Sequence, residues 1–178
     1  MSIQNTKYKI QNTPQTLRVL GIDPGTAIVG WAVLEEVAGK VTPIAFGHIT
    51  TSPKNTTAER LLEVVRDLEE IIAKFQPHEA AVEDLFFFKN LKTVMKVSQA
   101  RGSILLTLER FCVNIFEYTP LQVKQAITGY GRAEKKQIQL MTQQILKLKS
   151  IPKPDDTADA LAIALCHLNS RKMRQIRN

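Results

Sequence analysis

The stretch RVLGIDPGTAIVGWAVLEE, residues 18–36, places an acid at the end of an apolar run and follows it at once with proline and glycine. The apolar residues before Asp23 predict a buried strand, and an unpaired carboxylate at the end of such a strand is costly. Asp23 therefore either caps the turn that Pro24 and Gly25 begin, or faces a site where a cation or ligand compensates its charge. Taken alone, the stretch leaves both interpretations open.

Hydrophobic periodicity on either side of this stretch predicts a mixed sheet with helices on its faces. Three strands come first, with AGK between the second and third as in a hairpin, and strands then alternate with helices. The predicted strands cover 17–23, 29–37, 41–50, 79–87 and 113–120, and the predicted helices cover 91–111 and 133–149 and begin near 56, 120 and 155. The fold class is therefore α/β, with a five-stranded mixed sheet flanked by helices.

Length and composition bound the domain organisation. The 178 residues suit one domain, predicted at 17–170, with a disordered polar lead-in at 1–16 and a basic tail at 171–178. No apolar run approaches the roughly 20 residues of a membrane span, and no apolar signal core precedes the domain, so we expect a cytoplasmic protein without membrane contact. Cys112 and Cys166 stand in apolar surroundings without metal-ligand spacing, and we expect two buried free thiols.

The net charge of +7 lies in the last third of the chain. Residues 119–178 contain 11 Lys and Arg against four acids, whereas residues 1–118 contain 13 of each kind. A basic region of this size favours a polyanionic partner, and nucleic acid is the commonest large polyanion. A solvated basic surface that aids solubility is the alternative.

Four acids stand at places where the predicted strands and last helix end or begin. Asp23 ends the first strand, Glu83 ends the fourth, and Asp156 and Asp159 share one face at the start of the last helix. Taken singly, a turn cap, a strand-edge charge or favourable charges at a helix N-terminus explains each acid. Held together, four carboxylates would raise one another's pKa unless divalent cations neutralised them.

Such a cluster has a chemical use. Carboxylates without a group of His or Cys favour Mg²⁺ or Mn²⁺ over zinc. Two such ions, about 3.5 to 4 Å apart, can clamp a phosphodiester, one activating water and the other stabilising the leaving oxygen. The basic side chains of 119–178 would hold a nucleic-acid backbone in a salt-dependent manner. The acids and the basic region together predict a metal-dependent nuclease.

Five motifs resemble those of a known family. LGIDPGTAIVGWAV, AVEDLFFFKN, QARG, VKQAITGYGRAEKKQIQ and DDTADALAIALCH are similar, in that order, to the motifs of the RuvC family of bacterial Holliday-junction resolvases, over about residues 17–167. The resemblance implies a ribonuclease-H-like nuclease domain and a homodimer that makes paired Mg²⁺-dependent cuts in two opposing strands of a four-way junction during recombination and repair. It also implies two ions per site, which Mn²⁺ can replace, and a branch-migration motor partner made of RuvA and RuvB.

The resemblance carries the family's metal-binding acids onto four positions of this chain. They fall on Asp23, Glu83, Asp156 and Asp159, and these four are the predicted catalytic residues. Asp155 is an additional neighbour, and its spacing of four from Asp159 leaves the register of the closing acids open. Trp31 stands where an aromatic such as Tyr is more usual. None of these departures removes a predicted ligand.

Family residues that contact DNA are carried over in the same way. The aromatic near the opened junction falls on Phe86, where stacking on an unpaired base is the expected role and core packing the alternative. The lysines at the scissile backbone fall on Lys124 and Lys135, and the adjacent Arg132 and Lys136 complete the predicted DNA-binding set. The dimer surface does not follow from spacing, and the helix at 91–111, with its small residues and apolar face, is the candidate.

Three other functions compete with junction cleavage. GIDPGT also resembles the first phosphate loop of actin-like ATPases, but this chain is short for two nucleotide-enclosing lobes and has no second glycine-rich phosphate loop. A related ribonuclease-H-like nuclease that acts on structured RNA would use the same acids. A junction-binding module without activity would tolerate loss of ligands, yet all four are present. We expect His167, on the apolar last helix, to be a core residue rather than a general base.

Overall fold

Residues 16–84 and 91–177 are described by the structure, which is a computed structural model. The five strands are β1 (Leu17–Asp23), β2 (Ile28–Val37), β3 (Lys40–Thr50), β4 (Glu79–Glu83) and β5 (Asn114–Tyr118). The five helices are α1 (Thr57–Phe75), α2 (Leu91–Arg110), α3 (Pro120–Thr128), α4 (Lys135–Leu146) and α5 (Asp155–Arg177). They confirm the predicted five-stranded mixed sheet flanked by helices.

The strand order β3-β2-β1-β4-β5 sets which strand ends meet. The first three strands are antiparallel, and Ala38 and Gly39 join β2 to β3 with positive φ values of 50° and 82°, as the twist of a tight hairpin requires. β4 runs parallel to β1 and β5 runs parallel to β4. The carboxyl ends of β1, β4 and β5 therefore lie at one edge of the sheet.

The two faces of the sheet carry different helices. α1 and α2 cover one face with a core that includes Leu20, Ile22, Leu68 and Ile104. α3, α4 and α5 cover the other, where the buried middle of α5 packs against β1 and β2. Because successive strand residues point to opposite faces, the acid-bearing ends of β1 and β4 can face α5 while their neighbours face α1.

Glycines let α5 approach the sheet closely. A Cβ atom on Gly21 would lie 2.2 Å from the carbonyl oxygen of Ala160, and one on Gly30 would lie 1.9 Å from the carbonyl oxygen of Asp156. Both distances are far inside van der Waals contact, so only glycine fits at these two positions. The first turn of α5 is thereby seated directly on β2.

Helix starts follow the capping chemistry of the sequence. Thr56 and Glu59 form a capping box at the start of α1, and Thr119 caps α3 with Pro120 as its first residue. α4 is shorter than the predicted 133–149, because Glu134 is its extended N-cap residue and Lys147 ends it with a φ of 53°. α5 continues to Arg177, through residues that the sequence analysis assigned to a basic tail.

Two smaller expectations had different outcomes. Cys166 is buried as expected, but Cys112 is exposed, because the chain turns there with a φ of 55° and buries the next residue, Val113, instead. His167 is a core residue as expected, with its Nδ1 2.8 Å from the Tyr118 hydroxyl and its Nε2 2.6 Å from a Glu79 carboxylate oxygen. No helix within residues 16–84 and 91–177 is both long enough and apolar enough to cross a membrane.

Candidate active site

Asp23 and Glu83 meet at the carboxyl ends of two neighbouring parallel strands. Ile22 pairs with Val82, so the next residue of each strand, Asp23 and Glu83, stands at the same level. Both acids are two residues beyond core positions that face α5, namely Gly21 and Ala81. Burial raises the pKa of Glu83, and a hydrogen bond with the Asp23 carboxyl group opposes that rise.

α5 brings the other two predicted acids to this edge. Asp23 pairs with Gly30 across β1 and β2, and the backbone of Asp156 rests on Gly30. The Thr157 hydroxyl donates a hydrogen bond of 3.1 Å to the Gly47 carbonyl oxygen, which holds the same turn against β3. Asp159, one turn further along α5, completes the group.

Burial and mutual repulsion raise the pKa values of these acids. Burial contributes most to raising the pKa of Asp23 well above its ordinary value, and the charges of Glu83, Asp159 and Asp156 add to it. The pKa of Glu83 rises to about 7, chiefly through burial and then through Asp159. Burial also raises the pKa of Asp159, although Lys135 opposes it. The four predicted acids are thus brought together, in an arrangement that resists full ionisation.

Lys135 is the cation nearest to the acids. Its Nζ lies 2.9 Å from Asp159 Oδ2 and 3.5 Å from Asp155 Oδ2. Burial lowers the pKa of this ammonium, but the two carboxylates outweigh burial and leave the pKa above its ordinary value. Asp155, whose side chain is exposed, therefore serves in this structure as a second partner of Lys135.

A cavity of about 220 Å³ opens beside the cluster. Its polar lining consists of Glu83, Asp159, Lys124 and Lys135, and its remaining wall is formed by apolar residues of α3, α4 and α5. The charge of Lys124 lowers the pKa of Glu83, opposing the larger effect of burial. Acids that suit a cation and lysines that suit a phosphate therefore border one opening.

Oxygen donors of this kind fit a hard divalent cation. Among residues 16–84 and 91–177, no three His, Cys, Asp or Glu side chains stand in an arrangement that could already hold a metal ion, so binding one would require these carboxylates to move. The ammonium of Lys135, 2.9 Å from Asp159 Oδ2, offsets part of their negative charge. The acids thus form a carboxylate cluster whose negative charge is partly neutralised, and whose oxygen atoms are the ligands that hard divalent cations prefer.

The other predicted site residues lie outside these contacts. Arg132 and Lys136 are exposed on either side of the start of α4, and none of the contacts described for residues 16–84 and 91–177 joins them to the acids. Phe86, together with Phe87 and Phe88, lies outside the described residues. The roles assigned to these side chains remain predictions.

One residue that contacts the site was not singled out from the sequence. Arg101, in the middle of α2, donates a hydrogen bond of 3.2 Å to the backbone carbonyl oxygen of Glu83. The signal available in the sequence was a basic residue within the small-residue stretch of a helix, in the motif QARG. Nothing in that motif indicates which strand the side chain reaches.

Comparisons with known proteins agree with this fold and identify the family of the chain. A sequence profile of the family described as crossover junction endodeoxyribonuclease RuvC matches residues 19–167. Enzymes of that name from Syntrophomonas wolfei and Fusobacterium nucleatum are 48% and 53% identical to this chain, over 88% and 86% of it and 91% and 81% of their own lengths.

A solved structure gives the same result. The structure of Thermus thermophilus RuvC in complex with a Holliday junction substrate superposes with a TM-score of 0.83 and 36% identity, covering 89% of this chain and 96% of that one. The ribonuclease-H-like fold is confirmed by this match. The chain therefore belongs to the RuvC family of crossover junction endodeoxyribonucleases, hydrolases that act on DNA phosphodiester bonds.

Proposed function

We propose that this chain resolves four-way DNA junctions by hydrolysing one phosphodiester bond in each of two opposing strands, in recombination and repair. The observation that carries the proposal is that two acids and two lysines border the same cavity, namely Glu83, Asp159, Lys124 and Lys135. The superposition on a RuvC structure that holds a Holliday junction supports the substrate. Processing of structured RNA, which the same acids would permit, has no comparable support.

The RuvC family consists of divalent-metal-dependent nucleases. We propose two Mg²⁺ ions per site, replaceable by Mn²⁺, with Asp23, Glu83, Asp156 and Asp159 as ligands. The raised pKa values of three of these acids support this assignment, since a cation would relieve their repulsion. When bound, the ions supply Lewis-acid activation of water and stabilise charge on the leaving oxygen.

The chain's own residues position the DNA. Lys124 and Lys135 project into the cavity, where their ammonium groups can donate hydrogen bonds to oxygens of the scissile phosphate. Arg132 and Lys136 extend the positive charge along the exposed surface beside them. Phe86, three residues after Glu83, is proposed to stack on a base at the opened junction.

Two symmetric cuts require two active sites related by a two-fold axis. We propose a homodimer that pairs through α2, whose Met95 and Leu106 side chains are 66% and 64% exposed. A motor that drives branch migration, composed of RuvA and RuvB in this family, is the proposed protein partner. We propose the bacterial cytoplasm as the place of action, because the relatives are bacterial DNA-processing enzymes.

Cleavage of synthetic substrates tests the proposal. A four-way junction, a linear duplex of the same sequence and an RNA hairpin are each incubated with the protein in Mg²⁺ and in chelator. Paired nicks in opposing strands of the junction, dependent on Mg²⁺, are the expected result. Cleavage of the hairpin instead would indicate a nuclease that acts on structured RNA. Junction binding without cleavage would indicate a junction-binding module without activity.

Replacing Lys135 tests its contact with phosphate. Lys135→Ala is expected to reduce cleavage about 10- to 100-fold. It should also reduce the slope of log junction affinity against log salt concentration by about 1, the value for one lost phosphate contact. The exposed Lys40, at the opposite edge of the sheet, provides the control variant Lys40→Ala, which should match the wild type. Identical salt slopes and cleavage rates for both variants would contradict the assignment.

The raised pKa of Glu83, about 7, predicts how stability depends on pH without metal. The folded state binds the Glu83 proton more tightly than the unfolded chain does. The contribution of that proton to the free energy of unfolding is therefore complete below the ordinary pKa of a glutamate and is lost as pH rises through 7. In chelator, the free energy of unfolding should fall by roughly 1 to 3 kcal/mol between pH 5 and pH 8. Urea titrations measure this, and added Mg²⁺ should remove most of the decline; an unchanged decline would contradict the assignment of these acids as ligands.

A further inference from the structure

Arg101 forms three contacts at the place where β4 and β5 end. Its Nε donates a hydrogen bond of 3.2 Å to the carbonyl oxygen of Glu83, and its Nη2 lies 3.3 Å from Asp84 Oδ1. The same Nη2 forms an ion pair with Glu117 of β5. The side chain is only 16% exposed, although it belongs to a helix surface that is otherwise partly open.

These contacts use the planar fork of the guanidinium. The N–H groups of an arginine can donate hydrogen bonds to a carbonyl oxygen and two carboxylates at fixed angles, whereas a lysine ammonium is a single point charge. Exposure separates this side chain from Lys135, which also has two carboxylate partners: the Lys135 side chain is 54% exposed and lines the cavity, whereas the Arg101 side chain is 16% exposed and does not line it. The contacts therefore favour an internal role for Arg101 over direct contact with DNA.

The backbone on both sides of the Glu83 carbonyl is held. Arg101 binds that carbonyl oxygen, and the next amide, of Asp84, donates a hydrogen bond of 2.8 Å to the Tyr118 carbonyl oxygen. The peptide that follows Glu83 is thus fixed between α2 and β5. Because the Glu83 side chain starts from this backbone, its carboxylate is aimed at Asp23 from a rigid base.

We propose that Arg101 is a positioning residue for Glu83: it anchors the end of β4 so that the Glu83 carboxylate is held in the geometry that a divalent cation requires. This inference rests on the proposed function, in which Glu83 is a metal ligand. Groups that orient metal ligands are commonly worth 10- to 100-fold in metal affinity or activity. Arg101 also couples α2, the proposed dimer helix, to the active site.

The test compares Arg101→Ala and Arg101→Lys with Arg110→Ala. Arg110, near the end of the same helix, makes an exposed ion pair of 3.1 Å with Glu69 and controls for the loss of an arginine from α2. Three experiments are done on each full-length protein. Electron paramagnetic resonance of free Mn²⁺ gives the Kd for Mn²⁺, a binding titration in chelator gives the Kd for a junction, and cleavage assays in Mg²⁺ give kcat and KM. Thermal unfolding identifies any variant that fails to fold.

For both Arg101 variants, Mn²⁺ binding is expected to weaken and kcat to fall about 10- to 100-fold, with junction Kd and KM within two-fold of the wild type. Millimolar guanidinium should restore part of the lost kcat in Arg101→Ala, beyond the effect of equal NaCl. If Arg101→Ala does not fold, Arg101→Lys decides the matter, because it retains the charge but lacks the fork.

Three results would overturn the positioning role. One is an unchanged Mn²⁺ Kd and kcat in a folded Arg101→Lys, and another is a loss confined to junction Kd, which would make Arg101 a phosphate contact. The third is an equal loss in Arg110→Ala, which would indicate a general effect of α2. Failure of the proposed function looks different: the wild type itself would leave the junction uncut, and the Mn²⁺ titration would still report on Arg101.

Discussion

Asp23→Asn is expected to abolish junction cleavage while leaving junction binding intact. The asparagine keeps the size of the side chain but removes a charged oxygen from the proposed ligand set, and the loss should exceed the roughly 100-fold typical of residues that only orient ligands. The lysines that border the cavity are unchanged. Cleavage by the variant in Mg²⁺ should therefore fall to the level of the wild type in chelator.

The same substitution should stabilise the protein when no metal is bound. Burial and the charges of Glu83 and Asp159 raise the pKa of Asp23, so its ionisation opposes folding near neutral pH. Asp67→Asn on α1 is the matched control, because this acid lies away from the cluster. Cleavage assays, gel-shift titrations and unfolding in chelator are the measurements. Wild-type cleavage by Asp23→Asn would remove Asp23 from the catalytic residues.

Gly30→Ala is expected to damage both stability and cleavage. The added Cβ would lie 1.9 Å from the Asp156 carbonyl oxygen, and two backbones cannot separate without moving the start of α5. We expect a loss of roughly 1 to 3 kcal/mol in unfolding free energy, as for other overpacked cores. Cleavage should fall about 100-fold, because displacements near 1 Å at a catalytic group have that effect.

Gly102→Ala is the control for this substitution. Gly102 lies in α2, and a Cβ there would meet nothing within 4 Å. Alanine is favoured over glycine in a helix by roughly 0.5 to 1 kcal/mol, so this variant should be slightly more stable. Urea unfolding compares the stability of the two variants. Equal stability of both would show that α5 does not depend on close approach to β2.

The strand pattern of the sequence predicted Asp23 at the end of β1 and Glu83 in β4, although it extended that strand to residue 87, whereas β4 ends at Glu83. The end of β1 was predicted at the observed residue, and a parallel β4 beside it places Glu83 at the same level. Alternation within each strand also puts both acids on the face that α5 covers. Local periodicity is recorded in a single sequence, whereas the strand order and the parallel pairing of β1 with β4 are seen only in the structure.

Contacts between distant segments could not be predicted in this way. The partners of Lys135 and Arg101 depend on how α4 and α2 are rotated against the sheet, and helical periodicity fixes only the apolar face. The exposure of Cys112 depends on a left-handed turn that its apolar neighbours conceal. The close approach of α5 at Gly30 likewise requires knowing which strand the helix crosses.

The place of α5 in the chain has a consequence for synthesis. This helix supplies two of the four acids and much of the core on its face of the sheet, yet it begins at Asp155, after all five strands. A nascent chain that has already formed β1 to β5 still lacks half of its carboxylate cluster and exposes the apolar surface that α5 will cover. Translation therefore completes the carboxylate cluster only after every strand of the sheet has been made, and we expect a chain interrupted before α5 to lack nuclease activity.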